Sequence, residues 1–122
     1  FNKDFASDLF SKNWINNVEK KLIENSIKYQ KGTYIEVTGP TYETRAEVKM
    51  FRSFGGDAMG MSTVLEALAA SLLNSHVLGI SIISNLLTEI KQAEISHDYV
   101  VQAIASQKEK IETTIKCSIE SI

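Results

Sequence analysis

Two runs, Gly39-Pro40-Thr41-Tyr42-Glu43-Thr44 and Asp57-Ala58-Met59-Gly60-Met61-Ser62-Thr63, hold the side chains best suited to gripping a polar ligand. Each sets a glycine-bearing turn at the end of an apolar segment, with polar or carboxylate groups just beyond it. In α/β sheets that is where ligands bind. A third apolar segment, Val77 to Ser84, ends at Asn85, and three strand ends could then converge on one pocket. Tyr42 offers a ring that can stack on a heterocycle, and Glu43 a carboxylate to accept a ring N–H. Asn85 carries both a donor and an acceptor, enough to read a ring nitrogen and an adjacent carbonyl together. Ser62, at the start of a predicted helix, adds a hydroxyl to free backbone N–H groups, a combination that suits phosphate. The plainer reading is that Ser62 or Thr63 only caps that helix. Gly60 lets the backbone approach a ligand closely, or relieves a crowded turn. Taken singly, Tyr42, Glu43 and Asn85 read equally well as ordinary surface or turn residues.

Other chemistries find less support. His76 and His97 lie outside any recognisable metal-binding spacing, and no H-E-x-x-H, Walker, G-x-G-x-x-G or G-x-S-x-G pattern occurs. Neither a metal nor an activated nucleophile is indicated, and the pieces suit an enzyme that clamps its ligand. Cys117 is the only cysteine, which excludes an internal disulfide and a cysteine-based zinc site, and a reducing cytoplasm fits. The formal charge of −2, with Lys and Arg scattered, leaves no electrostatic footprint for nucleic acid or an anionic membrane. Lys20, Lys21, Lys28 and Lys31 have Glu19 and Glu24 among them, the pattern of a solvated helix face. The longest apolar run, around Val77 to Leu87, is too short and too polar to span a bilayer.

The elements that must position these groups follow from periodicity. With 122 residues, 43% of them hydrophobic, the chain has material for one domain with a single core. Apolar residues at Phe5, Leu9, Phe10, Ile15, Val18, Leu22 and Ile23 predict a helix over Phe5 to Ile27, weakened and broken near Asn13 and Asn16-Asn17. Thr33 to Thr38 predicts a strand ended by Pro40, and Thr44 to Phe54 a helix closed by Gly55-Gly56. Ala58 to Met61 reads as a short buried strand, followed by a helix through Val64, Leu65, Leu68, Leu72 and Leu73. Val77 to Ile83 is apolar enough to be a strand covered on both faces. Val100, Ile104, Ile111, Ile115, Ile119 and Ile122 predict one last helix. The order, a helix and then β-α-β-α-β-α, implies the α/β class with helices on both faces.

Together these residues resemble a known family. Gly32-Thr33-Tyr34, the segment GPTYETRAE from Gly39 to Glu47, DAMGMST from Asp57 to Thr63, and Ile83-Ser84-Asn85 are similar, in that order, to the C-terminal half of trimeric purine nucleoside phosphorylases of the 6-oxopurine type. The likeness begins at the helix near Phe5 and covers most of the chain. It implies that residues 1–122 are the C-terminal part of a single nucleoside phosphorylase domain: α/β, a mixed sheet flanked by helices, and incomplete as it stands. It also implies a reaction, the attack of phosphate on the anomeric carbon of inosine or guanosine to give free base and ribose 1-phosphate, in purine salvage. On the resemblance, Glu43 holds the purine N1 side and Asn85 bonds N7, where negative charge develops; these two are the catalytic residues. Tyr42 packs on the base where relatives usually have Phe, Met61 lies along the ribose, Ser62 binds phosphate and His97 reaches the ribose 5′-hydroxyl. Tyr34 and Met59 line the pocket. The implied assembly is a cytoplasmic homotrimer that uses no metal and no cofactor beyond inorganic phosphate as co-substrate. No nucleic-acid or membrane partner is implied.

Some features depart from the family pattern. Ser84 stands where many relatives have Thr, and the stretch between Asn85 and His97 is shorter than in some. The family's N-terminal half supplies a Gly/Ser phosphate loop, an Arg and a His for phosphate, and an aromatic lent to the neighbouring subunit; none of these is here. The chain opens on Phe1, which suggests processing or a longer whole, and activity is expected to require that other half. Two alternatives follow. One is a methylthioadenosine phosphorylase, disfavoured by Asn85 because an amide suits a 6-oxo group and Asp a 6-amino group. The other is a non-catalytic nucleoside-binding fragment.

Overall fold

Thr44 opens its helix with a reciprocal cap: its Oγ1 accepts the Glu47 N–H at 3.3 Å, and Glu47 Oε2 accepts the Thr44 N–H at 2.7 Å. A computed structural model of the chain describes residues 9–87 and 96–122. Its elements, in order, are α1 (Lys12–Glu24), β1 (Tyr34–Glu36), α2 (Arg45–Ser53), β2 (Ala58–Gly60), α3 (Val64–Leu72), α4 (His97–Ala105) and α5 (Lys108–Ile119). They fall into two compact units.

The first unit holds the described residues of Phe1–Gln30 with Thr63–Ile80 and Glu109–Ile122. Its centre is Val18 and Leu22 of α1 against Cys117 of α5, with Trp14, Ile27 and Leu78 packed around them. Burying a side chain such as Leu22 contributes about 1.5–3 kcal/mol. Polar links align the two helices: Trp14 Nε1 donates to the Ser118 carbonyl at 2.8 Å, and Lys21 Nζ meets Glu120 Oε2 at 2.9 Å. That packing explains why α1 runs unbroken through Asn13, Asn16 and Asn17, where propensity alone predicts an interruption. Residues 5–8 of the expected helix lie outside the described residues.

The second unit holds Lys31–Ser62 and the described residues of Ser81–Lys108. Here β1 and β2 form a parallel pair in the register Tyr34↔Ala58, Ile35↔Met59, Glu36↔Gly60. Two expectations are corrected. Residues 77–83 are not a strand. The backbone groups of Val77 are taken by Ser11, whose N–H donates to the Val77 carbonyl at 2.8 Å and whose Oγ accepts the Val77 N–H at 3.2 Å. The single last helix is two, α4 and α5, parted at Ser106 and Gln107. There Gln107 N–H closes a tight turn onto the Ile104 carbonyl at 3.0 Å, and Ser106 Oγ donates to the Ala103 carbonyl at 2.7 Å.

Three carboxylates and one amine acquire a pH signature from these contacts. Hydrogen bonds from Thr44 to Glu47, from the Thr63 N–H to Glu66, and from Lys21 to Glu120 hold each carboxyl below its ordinary 4.5. The bond to Glu120 likewise raises Lys21 above 10.5. A depressed carboxylate stabilises the fold fully above its unfolded value and loses that contribution as pH falls through the folded one. A raised amine contributes below its unfolded value and loses it in strong alkali. The melting temperature is therefore expected to fall as pH drops below 4.5, with a shallower acid limb in a Glu47→Gln, Glu66→Gln, Glu120→Gln variant; thermal scans across pH check this.

Candidate functional site

Parallel pairing gives the site its frame, because parallel strands leave a sheet at the same end. β1 runs on into Val37–Glu43 and β2 into Met61–Thr63, so the two motifs emerge side by side. The ladder extends one step past β1, with Val37 N–H on the Gly60 carbonyl at 2.9 Å. At the other end Asp57 fixes the register: its Oδ2 accepts the Thr33 N–H at 2.8 Å, while its own N–H donates to the Thr33 carbonyl at 2.9 Å.

Beyond the strand ends the motifs touch. Gly39 has φ of +62° and precedes a cis peptide to Pro40. A Cβ on it would come within 2.6 Å of Met61 Sδ, so both its backbone conformation and its neighbour require glycine. Tyr34 reaches across β2: its Oη donates to the Ser62 carbonyl at 2.7 Å. That path crosses Gly60, where a Cβ would run into the phenol oxygen. Strand alternation puts Met59 with Ile35 on one face of the pair and Tyr34 on the other.

Tyr42 and Glu43 follow Pro40 directly and precede the capped start of α2; Tyr42 is exposed and Glu43 half-buried. Asn85 is half-buried, and Ser84 Oγ donates to its Oδ1 at 2.7 Å. With Oδ1 engaged, donation to a ligand falls to Nδ2. His97 is the first residue of α4 and exposed, its helix capped by Ser96 Oγ, which accepts the Tyr99 N–H at 3.2 Å.

All eight expected site residues thus lie in the second unit. Direct contacts join Tyr34 to Ser62 and Gly39 to Met61, while Asn85 and His97 share the unit with them. A shallow hollow of about 270 Å³ in the first unit, walled by Phe10, Ala67, Ala70, Val77 and Leu78, contains none of the eight. Among the described residues, no group of three His, Cys, Asp or Glu side chains is placed to hold a metal ion. No helix among them is long and apolar enough to cross a membrane. Asp57 and Glu66 escaped the reading of the residues one by one. A carboxylate directly before a strand, and one three residues into a helix after Thr63, were the available signals.

Comparison with known proteins agrees with the frame. The phosphorylase superfamily matches residues 3–120. Purine nucleoside phosphorylase 1 of Bacillus subtilis is 43% identical over 102 residues, which are 84% of this chain and 38% of that protein. Purine nucleoside phosphorylase 1 of Geobacillus stearothermophilus is 38% identical over 96 residues, 79% of this chain and 35% of that one. The crystal structure of a Schistosoma purine nucleoside phosphorylase in complex with hypoxanthine superposes with a TM-score of 0.82 at 26% identity, covering 93% of this chain and 42% of the other. The fold is accordingly α/β and nucleoside-phosphorylase-like, and the chain spans little more than a third of the length of these two Bacillus and Geobacillus relatives. The resemblance read from GPTYETRAE, DAMGMST and Ile83-Ser84-Asn85 is borne out: this chain belongs to the phosphorylase superfamily.

Proposed function

We propose that this chain forms the base and ribose side of a purine nucleoside phosphorylase site, as the C-terminal part of one such domain. Together with the remainder of that domain, it splits inosine and guanosine with phosphate into free base and ribose 1-phosphate. The observation that carries the reading is the parallel β1–β2 pair, whose two motif loops leave the same end and meet where Gly39 faces Met61. Bond cleavage of this kind builds positive charge on the ribose and negative charge on the base, so fixed donors aimed at the leaving base lower the barrier. Asn85 Nδ2 serves N7 and Glu43 the N1 side, with Tyr42 against the base. Met61, Met59 and Tyr34 line the pocket, His97 reaches the 5′-hydroxyl and Ser62 binds the phosphate co-substrate. The assembly is a cytoplasmic homotrimer in purine salvage.

The remainder of the domain is part of the proposal. Ile82 and Ile83 are 39% and 51% exposed, apolar surface of the kind that the remainder of the domain would cover. The test is phosphate-dependent hypoxanthine release from inosine, with the intact mass taken on the same sample. Turnover is expected only when the rest of the domain is present, in one chain or as a second one. A soluble, monomeric and active 122-residue protein would overturn that requirement. Tight guanine binding without turnover, even with the complementary part present, would establish a non-catalytic nucleoside binder instead. Faster turnover of methylthioadenosine than of inosine would overturn the 6-oxopurine assignment.

A further inference from the structure

Among the described residues the sheet is β1 paired with β2 alone, so the segment that ends at Asn85 takes no place in a ladder. A polar side chain grips it instead: Gln107 Nε2 donates to the Ile83 carbonyl at 3.4 Å. Both residues belong to the second unit. Gln107 is half-buried and lies just past α4, where its own N–H is bonded to the Ile104 carbonyl at 3.0 Å. The donor is therefore anchored at its base before it reaches across to Ile83. The next residue along, Ser84, holds the Asn85 amide by donating to Oδ1 at 2.7 Å. One short segment is thus held in two ways, its backbone from the end of α4 and its terminal amide from Ser84.

We propose that Gln107 is a positioning residue that tethers the Ile83 carbonyl and so sets where Asn85 stands. Ser84 governs the rotation of the Asn85 amide, and Gln107 governs the placement of the backbone that carries it. Placement matters because a fixed donor must lie within about 0.5 Å of its productive position, and an error of about 1 Å can cost about 10²-fold in rate. The same bond ties α4 to this segment. His97 is the first residue of α4, so one hydrogen bond joins the bearers of two proposed nucleoside contacts. The turn at Ser106 and Gln107 gains a purpose, since it ends α4 where the Gln107 side chain meets Ile83. The tether rests on the phosphorylase reading for that purpose, which is to place the Asn85 donor against the leaving base. Its geometry stands without that reading.

The test separates the two. In the phosphorylase assembly containing this chain, Gln107→Glu keeps the size of the side chain, removes its donor and sets an anion against the carbonyl. It is expected to lower kcat for inosine about three- to tenfold, the worth of one hydrogen bond. The phosphate KM should stay near its original value. Gln107→Lys, which keeps a donor of similar reach, should recover most of the loss. An Asn85→Ala background tells positioning from general support of the fold. If Gln107 acts by placing Asn85, adding Gln107→Glu there should cost nothing further. The same loss in both backgrounds would overturn the proposal, as would unchanged turnover in Gln107→Glu or a change confined to the phosphate KM. If the unaltered assembly shows no phosphorolysis, the functional reading has failed, and a crystal structure of the Gln107→Glu assembly decides the tether. The Ile83 carbonyl and Asn85 are then expected to move by about 0.5 Å or more, and an unmoved segment would overturn it.

Discussion

Asn85→Ala is expected to lower kcat/KM for inosine by about 10²–10³-fold, the usual cost of removing one fixed donor from a developing negative charge. Ser84 sets the orientation of the amide. Its hydroxyl donates to Asn85 Oδ1 at 2.7 Å, which fixes the amide in one of its two orientations and presents Nδ2 as the outward donor. In the proposed reaction that donor meets N7 as the glycosidic bond breaks, so its effect falls mainly on kcat and only weakly on KM. Asn85→Asp should be at least as damaging with inosine. A carboxylate can still accept from Ser84, but it has no proton to give and its charge opposes the one growing on the base. The same variant should gain relative activity on 6-amino nucleosides, whose exocyclic amine can donate to it. Ser84→Ala should cost only about three- to tenfold, since it loosens the amide without removing it. Steady-state kinetics on inosine and adenosine, with melting temperatures as a control, would check all three. An Asn85→Ala enzyme within about threefold of the parent would remove Asn85 from the chemistry.

How far these residues could be read from the sequence depends on what fixes each of them. Both paired strands, the helix ending at Phe54 and the helix after Thr63 were legible because local chemistry sets them: β-formers around Ile35, the Gly55-Gly56 stop, an apolar run beginning at Val64. Failures came where distant groups decide. The asparagines of α1 argue for a break, and Trp14, Val18 and Leu22 override them by packing on α5. Val77 to Ile83 has the composition of a buried strand, yet Ser11 takes the Val77 backbone groups and no ladder forms there. Ser106 and Gln107 interrupt a spacing of isoleucines that looks continuous from Val100 to Ile122, through turn contacts to the Ala103 and Ile104 carbonyls that an apolar periodicity does not register.

For the site, the residue types were visible and their relations were not. Gly39 could be read as a turn glycine, but its approach to Met61 depends on the parallel register of β1 and β2. Tyr34 could be read as a pocket wall; its bond to the Ser62 carbonyl needs the ring to cross Gly60, a contact between positions 26 apart that no local pattern encodes. The left-handed backbone at Thr63 had no signal at all, because the residue there is one that sequence statistics place elsewhere.

Leu22→Ala is expected to destabilise the first unit by about 2–5 kcal/mol, against a total of about 0.05–0.15 kcal/mol per residue for ordinary domains. Leu22 is 6% exposed and packs with Val18 and Cys117. Among the described residues the buried apolar set is small, namely Val18, Leu22, Ala67 and Cys117, so a cavity at Leu22 has few other contacts to spread over. Its neighbour Ile23 is the internal control. It sits on the same helix at 65% exposure, and Ile23→Ala in the 122-residue chain should stay within about 0.5 kcal/mol of the parent. The two substitutions delete similar volumes one residue apart, so propensity and unfolded-state effects nearly cancel and burial accounts for the difference. Urea unfolding checks it: the Leu22→Ala midpoint should drop sharply with the slope m unchanged, and equal midpoints for the two variants would refute the α1–α5 core. In the complete phosphorylase the contrast carries a second meaning. If the remainder of the domain covers the outer face of α1, Ile23→Ala becomes costly there while remaining neutral in the isolated chain, and that change would locate the missing part on this helix.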